Sequence, residues 1–262
     1  MTATILIDNH STGSLASEWG LAIYLSFRGH TLLLDTGASH LFAENADALG
    51  LRLEDVECGI LSHAHYDHAD GMDTFFARNP TAPFYLQVSC KENCYNKKGD
   101  TYEYDGIKPG LLTQYSHRIR YVEGKVTIFP MVDLLPHKTP GLSSVGVKSN
   151  MYRLEGNTWI PDDFSHEQSL VFHTDNGLVL FNSCCHAGAD TILREAADTF
   201  PGQPLQAIVG GFHLFETSDE EVDAFAHRLA ATGVRQVVTG HCTGDRALTI
   251  LQKVLGSRVL AM

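Results

Sequence analysis

The chain has 262 residues, with 31 acidic against 19 basic residues, so its formal net charge is −12 before its 14 histidines are counted. This length suits one large α/β or layered β domain, and an apolar content of 44% is enough for a folded core. An acidic chain disfavours nonspecific binding to nucleic acid or to an anionic membrane. No secretion signal or long apolar run is apparent, so we expect a cytoplasmic protein with no membrane partner.

The first half of the sequence predicts two βα steps and then a long insertion. A hairpin turning at Arg28-Gly29-His30 precedes a helix that Gly50 ends. Residues 89–124 show no sustained hydrophobic period, and a second irregular tract reaches Asn150. The predicted strands of this half are Ile5–Ile7, Leu21–Phe27, Thr31–Leu34, Cys58–Leu61, Phe84–Val88, Ile119–Val122 and Val126–Phe129.

The insertion differs from the rest of the chain in charge. Between Lys91 and Arg153 there are ten basic and six acidic residues, a net of +4, which leaves −16 elsewhere. We expect a single domain over residues 1–262, with an insertion or lid at about 89–150 that leans over a site and holds an anionic small-molecule substrate. The alternative is an ordinary solvated surface.

The C-terminal third alternates strand and helix. Asn176-Gly177 predicts a hairpin between Leu170–His173 and Leu178–Phe181, and Ser218 with Glu221 predicts a helix start. The other predicted elements are a helix near 193–200, a strand Leu205–Val209, a strand Val234–Val238, a helix Ala247–Leu255 and a final strand. Strands in this pattern repeatedly end at a histidine.

Three histidines and an aspartate fall within six residues, as His63-x-His65-x-Asp67-His68. Polar side chains grouped in this way are costly to bury unless a cation or solvent compensates them. Side chains two apart in extended chain point the same way, so the first two histidines can share one ion, while Asp67 and His68 face a second. A single histidine is more often a hydrogen-bonded core residue, but that reading explains a group of four poorly. The motif therefore predicts metal ligation.

The motif resembles the signature of the metallo-β-lactamase superfamily, His-x-His-x-Asp-His, and matches it in full. Asp35 at a strand end, a later histidine after a strand and His241 near the C-terminus are similar to the rest of the family pattern. The resemblance implies an α/β fold, an αββα four-layer sandwich with two mixed β-sheets and outer helices. It also implies a dinuclear metal site at one edge of the sheets.

The resemblance implies six metal ligands, which are His63, His65, Asp67, His68, His186 and His241. The first ion would take the first two histidines and His186, and the second ion would take the other three residues. The family usually supplies the third histidine before the hairpin and a bridging aspartate after it. Here His166-Glu167 precede the hairpin and Cys184-Cys185-His186 follow it, so no bridging carboxylate is assigned.

Further residues are candidates for catalysis or for supporting the ligands. We expect Asp67 to act also as a base. We expect His213 to bind substrate or act as an acid, because the two glycines before it let backbone approach a ligand and the helix start after it can receive an anion; the alternative is a core histidine. Asp35 is expected to hold a ligand histidine through its other ring nitrogen, unless it only forms a turn. Weaker candidates near the site are His166, Glu167 and Cys185, the last as a buried thiol or a thiolate ligand. His10, His30, His40, His117, His137, His173 and His227 have no partner motif and are interpreted as ordinary.

Two divalent ions of this kind favour hydrolysis, with zinc as the first choice and iron or manganese as alternatives. The motifs around His186, His213 and His241 resemble those of dihydropterin-aminobenzene-phosphate synthases. We therefore expect a metal-dependent hydrolase of a phosphorylated small molecule. The alternatives are a pterin transferase of that type and a metal-containing binding protein with little turnover. The sequence does not predict an oligomeric state.

Overall fold

The computed structural model describes residues 1–11 and 13–262. The chain forms two compact units. The N-terminal unit comprises residues 1–123 and 141–167, and the C-terminal unit comprises residues 124–140 and 168–262. The α/β class predicted from the sequence is confirmed, because each unit contains a mixed β-sheet together with helices. The arrangement as one domain with a lid stays a prediction.

The elements up to residue 167 follow one another in this order: β1 (Thr2–Ile7), β2 (Ala22–Phe27), β3 (His30–Leu34), α1 (Leu41–Ala48), β4 (Cys58–Ile60), α2 (Tyr66–Ala69), α3 (Met72–Arg78), β5 (Phe84–Gln87), β6 (Tyr95–Lys98), β7 (Thr101–Tyr104), α4 (Leu111–Gln114), β8 (Ile119–Val122), β9 (Val126–Phe129), β10 (Val132–Pro136), α5 (Ser143–Lys148), β11 (Met151–Glu155) and β12 (Thr158–Pro161). The remaining elements are β13 (Gln168–Thr174), β14 (Gly177–Phe181), α6 (Ala189–Thr199), β15 (Leu205–Val209), α7 (Asp219–Ala231), β16 (Gln236–Thr239), α8 (Asp245–Leu255) and β17 (Val259–Ala261).

The six-stranded sheet of the N-terminal unit has the order β1-β2-β3-β4-β5-β8. Its first three strands are antiparallel, and the hairpin β2–β3 turns where Arg28 and Gly29 both have positive φ, at 50° and 90°. Strands β3, β4, β5 and β8 are parallel, and Leu34 pairs with Ile60. Parallel neighbours end at the same sheet edge, so Asp35 and the loop after β4 emerge side by side.

The insertion contains more regular structure than the sequence indicates. The expectation of irregular chain through residues 89–124 and on to Asn150 is wrong in part. The range contains hairpin β6–β7, strand β10 and helix α5. Hairpin β6–β7 pairs with hairpin β11–β12, which follows the insertion, in a four-stranded antiparallel sheet of order β12-β11-β6-β7. Its aromatic side chains pack on one another, with Tyr102 stacked on Trp159 at 3.9 Å between ring centroids. Aromatic pairing replaces the alternating aliphatic pattern that sequence analysis relies on.

The seven-stranded sheet of the C-terminal unit has the order β17-β16-β15-β14-β13-β10-β9. Strands β14 to β17 are parallel, whereas β9, β10 and β13 add antiparallel pairs. The predicted Asn176-Gly177 hairpin is confirmed, with Thr174 paired to Gly177. Because β14, β15 and β16 are parallel neighbours, the loops that follow them leave the sheet at one edge. These loops carry Cys184 to His186, His213 and His241.

The length and apolar content of a helix decide whether it can span a membrane. Among residues 1–11 and 13–262, no helix combines the length and the apolar character needed to cross a bilayer.

Candidate metal centre

The loop after β4 carries the His-x-His-x-Asp-His motif. His63 and His68 are fully buried, while His65 and Asp67 are 4% and 6% exposed. The backbone of His65 is extended, and the short helix α2 follows it. This helix turns the chain back, so that His68 lies beside His63. The ring of His63 lies 4.5 Å from that of His65 and 4.3 Å from that of His68, between centroids. The motif is therefore a compact, buried group of imidazoles.

Asp35 orients two of these rings. Its Oδ2 lies 2.9 Å from His68 Nδ1 and also accepts from the Ser62 hydroxyl at 2.6 Å. The Ser62 oxygen in turn lies 2.8 Å from His63 Nδ1, and the Ser62 backbone N–H donates to Asp35 Oδ1 at 2.7 Å. Because the Ser62 hydroxyl gives its hydrogen to Asp35, it must accept from His63. Both rings therefore carry hydrogen at Nδ1, and Nε2 is the nitrogen through which each can bind a cation.

The pKa values of the imidazoles in the motif depend on burial and on the carboxylates of Asp35 and Asp67. Burial lowers the pKa of His65 to about 3. Burial also lowers the pKa of His68, but Asp67 and Asp35 raise it more strongly, to about 10. Asp67 Oδ2 lies 3.4 Å from His68 Nε2. A cation bound at that nitrogen would displace a proton, as is general for histidine ligands. Buried imidazoles with a neighbouring carboxylate are a donor set that suits zinc or iron.

His166 lies close to this motif but is bonded differently. Its Nδ1 accepts from the Ala64 backbone N–H at 3.1 Å, and its Nε2 lies 3.2 Å from Asp162 Oδ2. A ring with hydrogen on Nδ1 alone would set two N–H donors against each other at Ala64 and a lone pair against the carboxylate. Nε2 therefore carries the hydrogen and donates to Asp162, while Nδ1 keeps the lone pair that accepts from Ala64. This favours a structural or substrate-facing role for His166 over metal ligation.

The surroundings of His166 form one buried polar cluster. His65, Cys94, Asp162 and His166 place ligand-type atoms within 4.8 Å of one another, and Cys94 Sγ is 3.8 Å from His166 Nε2. Burial raises the pKa of Asp162, but His166 and the Phe164 backbone N–H lower it further, to below its ordinary value. Asp162 is therefore an ionised carboxylate that accepts a hydrogen bond from His166. The neighbouring Glu167 is fully buried, and its backbone N–H donates to the Phe164 carbonyl.

A pocket of about 340 Å³ opens beside this cluster, within the N-terminal unit. Its walls combine residues of the insertion with those of the segment 153–166: Ser89, Lys91, Asn93, Cys94, Arg153, Leu154, Glu155, Gly156, Asp162 and His166. Lys91 is exposed, whereas Arg153 is paired with Asp163 at 2.7 Å. Lys91 is therefore the cation in this wall with the greater freedom to meet an anionic ligand.

In the C-terminal unit, the three loops after β14, β15 and β16 converge. The His186 and His213 rings lie 4.5 Å apart between centroids, and Cys184 has its ligand atom within 4.8 Å of those of both histidines. A second group of the same kind contains Cys184, His241 and Cys242. These residues are buried except for His213, which is partly exposed. The sequence predicts two of them as ligands, His186 and His241, and assigns neither Cys184 nor Cys242.

Sequence reasoning interprets the two glycines before His213 as space for a ligand, and the helix that follows as an anion site. The structure fills that space with protein, because a Cβ at Gly210 would lie 1.7 Å from the Asn182 carbonyl oxygen. A Cβ at Gly211 would lie 2.5 Å from Cys242 Sγ. Helix α7 begins at the Ser218 cap that the sequence predicts, but its first turn carries three acidic residues, which repel an anion. Both interpretations are corrected accordingly.

Several candidate residues adopt a left-handed backbone, which glycine accepts without strain and asparagine and aspartate accept more readily than other residues. Asp35, Cys185, His213 and His241 have φ between 45° and 57°. Each stands just after a strand, in the loop that carries candidate ligands. Residues held in this way are typical of functional sites, where side-chain position outweighs backbone strain of about 1–3 kcal/mol.

A chain of hydrogen bonds beneath the 182–186 loop was missed by sequence reasoning. Asn182 Nδ2 lies 3.2 Å from His137 Nε2, and His137 Nδ1 lies 2.9 Å from Glu195. The amide of Asn182 also accepts the Cys185 backbone N–H at 2.9 Å, which fixes the loop. Burial raises the pKa of Glu195, but His137 and Thr139 lower it more, to about 2. The only sequence signal was a histidine at the end of an apolar run, which gives no indication of its distant partners.

Comparison with known proteins agrees with this geometry. Residues 20–149 match the family model of the metallo-beta-lactamase superfamily. A 7,8-dihydropterin-6-methyl-4-(beta-D-ribofuranosyl)-aminobenzene-5'-phosphate synthase of Methanocaldococcus jannaschii is 24% identical, over 88% of this chain and 83% of its own. An uncharacterized protein of the same organism is 22% identical, over 95% and 93%.

Among solved structures, a metal-dependent hydrolase of the beta-lactamase superfamily superposes with a TM-score of 0.82. It is 27% identical and the match covers 99% of this chain and 95% of that one. The likeness therefore extends well beyond the residues matched by the family model. With its complete His-x-His-x-Asp-His loop and its fold, the chain belongs to the metallo-β-lactamase superfamily.

Proposed function

We propose that this protein is a metal-dependent hydrolase that cleaves a phosphoester bond in a small anionic molecule. The observation that carries the proposal is the Asp35–Ser62 arrangement, which leaves Nε2 of His63 and of His68 as the cation-binding nitrogens. The 27% identical structure of a metal-dependent hydrolase supports the reaction class.

The ligand set of the sequence analysis becomes part of this proposal. It comprises His63, His65, Asp67, His68, His186 and His241, with two divalent ions per chain, zinc first and iron or manganese as alternatives. When bound, such a pair lowers the pKa of water and stabilises charge on the oxygen under attack. We assign Asp67 as the carboxylate that takes the proton of the attacking water. His213, being partly exposed, is assigned to the substrate or its leaving group.

The choice of an anionic substrate is supported by the wall of the pocket beside His166. Lys91 brings an exposed positive charge to this wall, whereas Arg153 is already paired with Asp163. A phosphate group would be attracted to that charge and steered towards the neighbouring histidine loop. Glu155 and Asp162 also line the pocket, so a ligand with a hydrogen-bond donor besides its phosphate fits the wall best.

A transferase of the synthase type is the second candidate. The relative from Methanocaldococcus jannaschii carries that name, and its match extends over 88% of this chain. The aromatic surface of the four-stranded sheet, with Lys97 Nζ 5.8 Å from the Tyr102 ring centre, would suit a ring-bearing phosphorylated compound. In this candidate an aromatic amine or carbon nucleophile, rather than water, attacks the substrate.

The experiment is a turnover assay on protein loaded separately with zinc, manganese and iron. Aryl phosphate monoesters and diesters test hydrolysis, and a pterin methyl diphosphate with a ribofuranosyl aminobenzene phosphate tests transfer. We expect metal-dependent release of the aryl alcohol, reduced about 10²- to 10⁴-fold in Asp67→Asn. Coupled product without water incorporation would replace the hydrolase by the transferase. Binding of these compounds with no product from any of them would favour a binding protein.

A further inference from the structure

Cys184 occupies a central place in the C-terminal unit. Two groups of potential ligand atoms meet there, one with His186 and His213 and the other with His241 and Cys242. In both groups the atoms lie within 4.8 Å of one another, and Cys184 is the member that they share. Its side chain is buried, with 3% exposure. No Asp or Glu occurs between residues 182 and 188, so this loop offers no carboxylate to a cation.

We propose that Cys184 is, as a thiolate, a further ligand of the proposed metal centre, beside His186 and His241. The inference rests on the proposed metal dependence and adds a sulfur ligand to it. On binding, the S–H bond of Cys184 breaks, the sulfur keeps the electron pair, and the proton passes to solvent. The thiolate supplies the negative charge that a carboxylate would otherwise bring to a dication.

The neighbouring Cys185 serves as a natural contrast. Its backbone N–H donates to the Asn182 side-chain oxygen at 2.9 Å, and its Sγ lies 3.5 Å from the Asn182 carbonyl oxygen. Its thiol is thus engaged within its own turn, and it belongs to neither ligand group that contains Cys184. Adjacent in sequence and equally buried, the two cysteines have different surroundings, which allows one to be the control for the other.

Cys242 supports the charge that Cys184 would carry. The two Sγ atoms lie 3.2 Å apart, with Cys242 placed to donate its S–H to Cys184. Cys242 Sγ in turn accepts the His213 backbone N–H at 3.2 Å. The contact depends on Gly211, since a Cβ there would lie 2.5 Å from Cys242 Sγ. Three loops are therefore packed so that one thiol donates to the other.

A sulfur ligand predicts which metals the site prefers. Thiolates select zinc, iron and cobalt over manganese and magnesium, which favour oxygen ligands. We therefore expect the protein to discriminate strongly between zinc and manganese, and to lose most of that discrimination when Cys184 is replaced. This expectation concerns binding alone and holds whichever reaction the protein catalyses.

The test is cobalt substitution of the full-length protein, read by absorption spectroscopy and chelator competition. We expect a near-ultraviolet thiolate-to-cobalt charge-transfer band in the wild type, and its loss in Cys184→Ser. The zinc affinity of that variant should fall by more than the about 10- to 100-fold that loss of a group hydrogen-bonded to a ligand causes, because a direct ligand is removed. Cys185→Ser should keep both the band and the affinity. Cys242→Ser should keep the band with weaker binding.

Other outcomes would overturn the proposal. A cobalt-loaded wild type with no sulfur band does so without any variant, even if Cys184→Ser fails to fold. A band that disappears in Cys94→Ser or Cys242→Ser, but not in Cys184→Ser, assigns the sulfur to another residue. A cobalt band without any phosphoester turnover leaves this inference standing and contradicts the proposed function. Phosphoester turnover by a cobalt-loaded protein that shows no sulfur band contradicts this inference and leaves the proposed function standing.

Discussion

Asp35 contacts His68 directly, with 2.9 Å between Oδ2 and Nδ1, and reaches His63 only through the Ser62 hydroxyl. One buried carboxylate thereby sets the tautomer of two rings in the motif. The link to His63 depends on one additional group, the serine oxygen. The two rings can therefore be uncoupled by substitution, because Ser62 affects His63 alone while Asp35 affects both.

Asp35→Asn is expected to reduce metal affinity about 10- to 100-fold. The side chain of Asp35 accepts three hydrogen bonds, and an amide offers one oxygen and an NH₂ group that would face a donor. Asparagine tolerates the left-handed backbone at this position, where φ is 57°, so the loop should keep its course. Chelator competition followed by elemental analysis measures the effect. Ser62→Ala should give a smaller decrease, and an equal decrease would contradict the two-ring arrangement.

His166→Asn is expected to leave the metal content unchanged. The asparagine oxygen can still accept the Ala64 N–H, while the donor to Asp162 is lost, which should destabilise the fold by about 1–3 kcal/mol. His186→Asn, the matched change at a proposed ligand, should lower metal content. Elemental analysis and thermal unfolding of both variants provide the measurements. Loss of one ion per chain in His166→Asn would show that this histidine is a ligand after all.

Glu195→Gln is expected to destabilise the protein by about 1–2 kcal/mol at neutral pH. The pKa of Glu195 is lowered in the folded state to about 2, so its contribution is present above its unfolded pKa, about 4.5, and is lost as pH falls towards 2. Urea unfolding across this range should show a shallower acid loss in the variant. The exposed Glu44, which lies far from the 182–186 loop in sequence, is the control as Glu44→Gln. Parallel curves for Glu195→Gln and wild type would exclude this linkage.

Lys91→Ala is expected to raise KM for a phosphoester about twofold to fivefold, with little change in kcat. An exposed charge supplies up to ~1 kcal/mol, and an interaction made equally in the ground and transition states affects KM alone. Lys98 is also exposed but pairs with Glu103 in the β6–β7 hairpin, so Lys98→Ala is the matched control. Steady-state kinetics at low and high salt separate the two variants. Equal KM values for Lys91→Ala and Lys98→Ala would show that Lys91 does not contribute to substrate binding.

Much of the fold was accessible from the sequence because the signals were local. The hairpin at Asn176-Gly177 and the cap at Ser218 depend on residues a few positions apart, and both are confirmed. The four-stranded sheet was missed because aromatic contacts join its two hairpins, β6–β7 and β11–β12, such as that between Tyr102 and Trp159, which lie 57 positions apart. Periodicity within one short segment cannot show such pairs.

The candidate site also combines a local motif that the sequence shows with distant contacts that it does not show. The motif from His63 to His68 is contiguous and was recognised, whereas His137 was interpreted as ordinary. Its partners Asn182 and Glu195 stand 45 and 58 positions away, so only the folded chain shows that it supports the loop of Cys184. Asp162 likewise gains meaning only through His166, whose Nε2 it holds.

The left-handed residues Asp35, His213 and His241 imply a conflict between selection for robustness and selection for activity. Glycine at any of them would relieve backbone strain and remove a side chain that the proposed site uses. A library selected only for resistance to heat should therefore accumulate glycine at these positions and lose function as it does so. If selection keeps a histidine in such a conformation, its side chain is required for function, because the left-handed backbone by itself favours glycine.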